Sequence, residues 1–364
     1  MPLIGSANLG TPAHLRAMVS PGHAQFAGVC RMSMDDPEYA NKISEDRENE
    51  LRLSTRTGAS LLQGNIFGKG WAGSAQNPCF GRDREYRVVP TVRVRNIVVV
   101  GGGSGGMEYA ITAKQAGHNV ILLEKSQRLG GTMDWAGNYQ QVPNMEMIRY
   151  QPTYHRAMME REGVAYRLGI EANLDIILAE KPDVVVIATG ARFVLPQAEG
   201  LSQAAQNGFA VTIQRAMSRE EAFEPGRLPI IYGAGMGAEL AVDYVMRGLR
   251  VKLLDPASQY VPANYLGSRG PRVAALLALH RIEFEASLTL TRVGNGSIDC
   301  LDGSGETRNF TCDRLIVAIV RQPADELVPA LRSHKIRVQV IGDAREPRSY
   351  GNAIHEAAYL SRRG

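Results

Sequence analysis

Short apolar runs broken by glycine turns dominate the chain from residue 96 onward. Ile97-Val98-Val99-Val100 has no polar position, the mark of a strand covered on both faces. Further strands are predicted at 120–123, 184–187, 228–232, 251–254 and 337–341, and a closing helix at 351–360. Strands alternating with helices imply parallel sheets with helices on both sides, so the fold class is α/β. Ahead of this region, residues 2–5 and 25–31 read as strands. Thr11-Pro12 opens a helix over 11–18 with a hydroxyl cap and proline at its first position, and Asp35-Asp36-Pro37 leads into a charged helix. From 54 to 92 no strand or helix period persists, and Gly, Ser, Asn and Pro dominate. A long irregular stretch inside a compact protein is usually functional or descended from something functional.

At 364 residues the chain has room for two or three domains. Lys+Arg 41 against Asp+Glu 37 leaves a net charge of only +4, and no basic block with interleaved aromatics concentrates it. Nucleic acid is therefore not an expected partner. No apolar run approaches the ~18 residues of a membrane span, and no basic-then-apolar leader opens the sequence. A cytoplasmic chain without a membrane span is expected. Cys30, Cys79, Cys300 and Cys312 stand far apart with no CxxC pair. This argues against a thioredoxin-reductase-like disulfide or a zinc ribbon, and for reduced thiols in core or loop.

Two glycine loops carry the chemistry. Gly101-Gly102-Gly103-Ser104-Gly105-Gly106 follows directly on the strand at 96–100. Gly101 makes the tight turn, Gly103 has no Cβ to block a pyrophosphate, and Gly106 lets helix and strand approach. The backbone N–H groups at the helix start, from Ser104 and Gly105 on, then face the phosphates. Glu124, with Lys125 beside it, ends the next strand where a carboxylate can accept both ribose hydroxyls. Leu129-Gly130-Gly131-Thr132 is a second glycine turn, placed where a flavin would continue. Gly233-Ala234-Gly235-Met236-Gly237-Ala238 repeats the pattern with Ala238 at the third glycine, and Asp255 ends the following strand. An acid there favours NADH over NADPH, whose 2′-phosphate it repels. A retained dinucleotide fold that binds nothing is the other reading of this second loop. Ala188-Thr189-Gly190 and Ile341-Gly342-Asp343-Ala344, in this order around the loops, recur in flavoproteins with two dinucleotide domains.

With these motifs assembled, the sequence resembles the trimethylamine dehydrogenase / 2,4-dienoyl-CoA reductase group of NADH:flavin oxidoreductases. The resemblance covers the family's C-terminal half. In that family a (β/α)8 barrel carries FMN and substrate, a cysteine-rich loop holds a [4Fe–4S] cluster, and FAD- and NAD-type domains follow. Residues 1–53 resemble the end of the barrel, with Ala7-Asn8 where the family has paired glycines for the FMN phosphate. Residues 54–92 resemble the cluster loop. Alignment through Glu48–Arg52 and Asn77-Pro78 places Ser54, Thr57, Leu61 and Ser74 at the cluster cysteines, so the resemblance implies that no iron–sulfur cluster is held. Residues 93–205 and 320–364 correspond to an FAD- or ADP-binding domain, and 206–319 to an NAD-binding-like domain inserted in it. Asp343 would reach the ribityl or phosphate region of the flavin.

The resemblance implies an FAD-containing oxidoreductase or electron-transfer subunit of an amine N-demethylating or enoate-reducing complex, with substrate chemistry on a separate FMN-type barrel subunit. A non-redox subunit holding ADP or FAD as a structural ligand is the alternative, because some family members keep ADP in this domain. No catalytic acid or base is nominated, and His118 and His155 are expected on helix surfaces.

Overall fold

The computed structural model describes residues 1–6, 9–55, 73–142, 145–218, 224–257, 269–319 and 321–363. Among these, a five-stranded parallel sheet takes the order Arg337–Val340, Val184–Ile187, Asn96–Val100, Asn119–Leu123, Ala165–Arg167. The run Ile97 to Val100 is buried throughout because both faces are covered. Ile97 and Val99 pack with Met107, Ala110 and Met159, residues of the helices Ser104–Gln115 and Tyr150–Arg161. Val98 and Val100 pack with Ile177 and Leu331 on the other side.

The chain leaves this sheet after Val184–Ile187 and builds a second one. Its order is Glu283–Glu285, Lys252–Leu254, Pro229–Tyr232, Arg314–Val317, Ala210–Thr212, again all parallel. It then returns to lay Arg337–Val340 on the edge of the first sheet. The two crossings, Ala191–Phe193 and Arg321–Pro323, pair antiparallel. The second α/β unit is thus spliced into the first. An antiparallel meander, Thr289–Val293, Ser297–Leu301 and Thr307–Thr311, projects from the second unit and was not anticipated. Its last strand buries only Phe310, which is too thin an apolar signal to read from sequence. The units share a core: Met133, Ala136 and Tyr139 of the first pack with Leu240 and Tyr244 of the second. Two buried acids on the helix Gly235–Met246 reinforce that contact. Glu239 accepts from the Tyr139 hydroxyl at 3.0 Å, and Asp243 accepts from the backbone N–H groups of Gln140 and Gln141 at 2.6 and 2.7 Å.

Ahead of the first sheet, Ile4–Gly5 and Phe26–Ala27 form a two-stranded parallel sheet joined by the helix Pro12–Val19. The strand expected at 25–31 is shorter than predicted. With one partner its ladder ends after two residues, and Arg31–Asp35 is helical. Leu3, Ile4 and Phe26 are 54%, 71% and 59% exposed. Ala7, Asn8, Thr57 and Leu61 lie outside the described residues. Residues 73–92 run as turns without helix or strand.

A buried polar chain fastens this N-terminal segment to the first unit. Arg52 donates to Glu108 at 3.3 Å and to the Tyr154 hydroxyl at 2.8 Å, and its guanidinium also meets the Gln76 carbonyl. His155 corrects the surface assignment made from sequence. It is 1% exposed, and its Nε2 meets Glu108 at 2.9 Å. Its helix is squeezed between Ser104–Gln115 and the turn Glu48–Glu50, so the polar side that periodicity assigned to water faces protein. Gln151 lies 2.7 Å from His155 Nδ1 and accepts from Ser104 Oγ at 2.8 Å. An ionised Glu108 can only accept, so each donor in the row Ser104, Gln151, His155 points toward it. His118 is also corrected. It sits in the turn before Asn119–Leu123, is 6% exposed, and its Nδ1 accepts the Arg95 N–H at 3.2 Å. Ser54 and Ser74 both bond to the buried carboxyl of Asp35, whose pKa burial raises against those hydrogen bonds.

Burial alone would raise the Glu108 pKa, but Arg52 first and then His155 outweigh it and hold it at about 2. The folded pKa lies below the unfolded one, so this stabilisation is complete above about pH 4.5 and is lost as the pH falls toward 2. Glu108→Gln should lower stability at neutral pH by about 3 kcal/mol and flatten the acid limb of the curve. Urea melts at several pH values check this; an unchanged acid limb in the variant would contradict the ion-pair account.

Candidate functional site

The expected site residues of the first unit converge at the carboxyl ends of its strands, where parallel α/β sheets place their ligands. Gly101 takes φ +109°, and a Cβ on it would lie 2.4 Å from the Ala188 carbonyl oxygen, so the Ala188-Thr189-Gly190 turn rests directly against the loop. The Gly101 N–H donates to the Leu123 carbonyl at 2.8 Å. The next N–H, of Gly102, donates to Glu124 Oε2 at 2.6 Å, while Oε1 accepts from Ser126 N at 2.8 Å. Glu124 is therefore a brace for the loop, at the strand end where a ribose carboxylate was expected. Lys125 beside it is exposed.

Gly103 caps the helix Ser104–Gln115. A Cβ there would meet no protein atom within 4 Å, whereas one on Gly106 would lie 1.9 Å from the Gly101 carbonyl oxygen. Space is thus kept open where a pyrophosphate would lie and closed where helix meets strand, and the cradle fits a dinucleotide. The second glycine turn lies on this loop. Gly130 N–H donates to the Gly102 carbonyl at 2.8 Å, and a Cβ on Gly131 would come within 3.0 Å of Gly103 Cα. Thr132 opens the short helix Thr132–Trp135 behind it. Arg156, missed by sequence reading, clamps the turn by donating to the Leu129 carbonyl at 2.8 Å and pairing with Asp134.

Gly342-Asp343 comes from the far end of the chain to the same place. Gly105 and Gly342 both press on Ala353, with Cβ positions 3.2 and 2.9 Å from its Cβ. Asp343 accepts from the Arg348 N–H and from Arg321 Nη1, each at 2.8 Å, and burial raises its pKa. Thr189 Oγ1 donates to the Ala324 carbonyl. Arg321 is a second residue the motifs did not announce, because a lone arginine in a crossing strand has no pattern.

The second unit repeats the device. Gly233 takes φ +116° and donates to the Leu254 carbonyl at 2.8 Å. Asp255 accepts from Ala234 N–H and, at 2.7 Å, from Ala257 N–H. Gly235 begins the helix Gly235–Met246, and Ala238 is buried at the third glycine position. Among the described residues no group of three or more His, Cys, Asp or Glu side chains is gathered as a metal site, and no helix is long and apolar enough to cross a membrane.

Two braced loops on parallel sheets, one unit spliced into the other, define the class of two-dinucleotide-domain folds. A family model described as pyridine nucleotide-disulphide oxidoreductase matches residues 70–142 and 95–344. The chain belongs to that family of flavin-dependent oxidoreductases, whose members bind FAD and NAD(P)H. An NADH oxidase of Thermoanaerobacter brockii is 28% identical over 347 residues, covering 94% of this chain and 52% of the relative. A probable N-methylproline demethylase of Rhizobium meliloti is 29% identical over 336 residues, covering 90% and 48%. A solved 2-naphthoyl-CoA reductase complex shares the fold with a TM-score of 0.88 at 23% identity, covering 99% of this chain and 54% of that one. The chain therefore spans about half the length of the curated relatives it matches.

The two loop glycines separate binding from folding. Gly103→Val should fold with near-native stability yet lose dinucleotide, since its side chain enters only the open cradle. Gly106→Val should destabilise by about 3 kcal/mol or more through the backbone clash. Denaturant melts and nucleotide content of the two variants check this pair.

Proposed function

We propose that this chain is the electron-carrying part of a flavin oxidoreductase, holding FAD at Gly101–Gly106 and Glu124 and taking NADH at Gly233–Ala238 and Asp255. The observation that carries the reading is the gathering of Gly130-Gly131-Thr132 and Gly342-Asp343 onto the first loop. These elements extend the cradle past the adenosine half, where ADP would give them nothing to do. Bound FAD would supply hydride acceptance from a nicotinamide and onward release of electrons. The residues themselves orient and desolvate the dinucleotides; none is placed as a proton donor. The four cysteines are free in this structure, with Cys300 buried in the meander and Cys312 buried just after its last strand.

Substrate chemistry then belongs to a barrel-type module that seats on the exposed faces of Ile4–Gly5 and Phe26–Ala27, as a partner subunit. The name of one relative, a probable N-methylproline demethylase, supports a small amine as the substrate class, with an enoate as the other class the resemblance implies. Ser54 and Ser74, with hydroxyls committed to Asp35, support a loop without an iron–sulfur cluster.

Mass spectrometry of the nucleotide released on denaturation should find FAD, with no stoichiometric iron in the anaerobically purified protein. Release of ADP alone would replace this reading with that of a non-redox scaffold subunit, and about four irons per chain would overturn the account of the loop.

A further inference from the structure

Along the helix Ser104–Gln115, lined by no residue of either glycine loop, lies a cavity of about 280 Å³. Buried Glu108 and Tyr154 form its floor, exposed Asp83 and Arg87 stand at its rim, and Cys79 and Arg362 line its wall. The charges inside are unequally satisfied. Arg52 and Glu108 neutralise one another, and Glu108 is further engaged by His155. Among the described residues Arg362 forms no ion pair with a carboxylate, although its charge helps to hold Glu108 ionised. Its Nε donates to the Tyr86 carbonyl at 2.5 Å, one Nη to the Ala358 carbonyl at 2.7 Å, and the other, among the described residues, reaches Cys79 Sγ at 3.7 Å. A guanidinium in a partly desolvated wall, hydrogen-bonded to neutral acceptors, attracts an anion more strongly than one in water. Arg87 adds a second cation at the rim, against the single carboxylate of Asp83. The walls also carry the Tyr86 ring, 5.4 Å from the Arg362 guanidinium carbon, together with Val88 and Ile111. The volume suits a compact molecule and excludes a dinucleotide.

We propose that this cavity is a binding site for a small anion with carboxylate or phosphoryl oxygens, anchored on Arg362 and guided in by Arg87. The site stands apart from the proposed electron path and does not depend on it. Its nearest link to the nucleotide loop is the polar row from Glu108 through His155 and Gln151 to Ser104.

Cys79 is a built-in reporter, because its thiol lies in the wall beside Arg362, while Cys30 is exposed and serves as the internal control. Alkylation of the full chain by anionic iodoacetate and by neutral iodoacetamide, located by mass spectrometry, should give a rate ratio favouring iodoacetate at Cys79 over Cys30 on the order of tenfold. Arg362→Gln should bring the two ratios together, and Arg87→Gln, at an exposed rim position, should lower the Cys79 ratio without affecting folding. Calorimetric titration at constant ionic strength with inorganic phosphate and with succinate then distinguishes the sources. Saturable binding of either one, lost in Arg362→Gln, supports the site and names its oxygen chemistry. Equal ratios at Cys79 and Cys30, binding of neither anion, or binding that survives Arg362→Gln would overturn it.

Discussion

Everything at the nucleotide end of this protein depends on how closely a helix backbone can approach the turn before it. At Gly106 the Cβ position falls 1.9 Å from the Gly101 carbonyl oxygen, a separation that no side chain survives. That contact fixes the axis of Ser104–Gln115, and with it the direction of the free N–H groups and the helix dipole. The last helix, Tyr350–Ser361, packs along the same helix, so the return of the chain after the second unit is tied to the same point. In the second unit the crowding shifts by one residue. Gly237, not Ala238, has its Cβ position 2.7 Å from Ile231 Cγ2, which accounts for the tolerance of alanine at the third fingerprint position.

The carboxylates Glu124 and Asp255 solve one problem twice. A loop held open for a ligand has backbone N–H groups without internal partners, and a buried unmet donor costs about 1–3 kcal/mol. Each acid accepts from the second loop residue and from the N–H two residues beyond itself, so loop and following turn are fixed before a ligand arrives. The polar chain through Glu108 does comparable work for the N-terminal segment. Ion pairs of this depth stabilise little relative to apolar packing but leave few alternative ways to dock. The register of that segment on the first unit is the property they specify.

The parallel strands along the chain, the splice of one unit into the other and the meeting of Gly101–Gly106 with Gly342-Asp343 were legible, because each rests on a local signal: an apolar run, a glycine where no Cβ fits, an acid closing a strand. What escaped were features made by tertiary neighbours. His155 reads as a surface residue on helical periodicity and becomes buried because a second layer covers its polar side. Arg321 and Arg156 hold Asp343 and the Leu129 turn from far along the chain, and nothing local marks them. Glu108 was the one available hint: a carboxylate beside Met107 and Tyr109 in a helix buried nearly all round must have a partner. The meander escaped because its two outer strands bury only two and one side chains.

Electron transfer between two spliced dinucleotide units requires that the second accept a nicotinamide and the first a flavin in one molecule. The shared core of Met133, Ala136, Leu240 and Tyr244, with Glu239 and Asp243 bonded across it, holds the units in a single arrangement in this structure. Anaerobic titration of the purified protein with NADH and, separately, NADPH, followed by flavin absorbance, tests the account most directly. It predicts stoichiometric bleaching of bound flavin by NADH and a much weaker response to NADPH, whose 2′-phosphate a nicotinamide site closed by Asp255 would repel. A flavin spectrum unchanged by either nucleotide would contradict it.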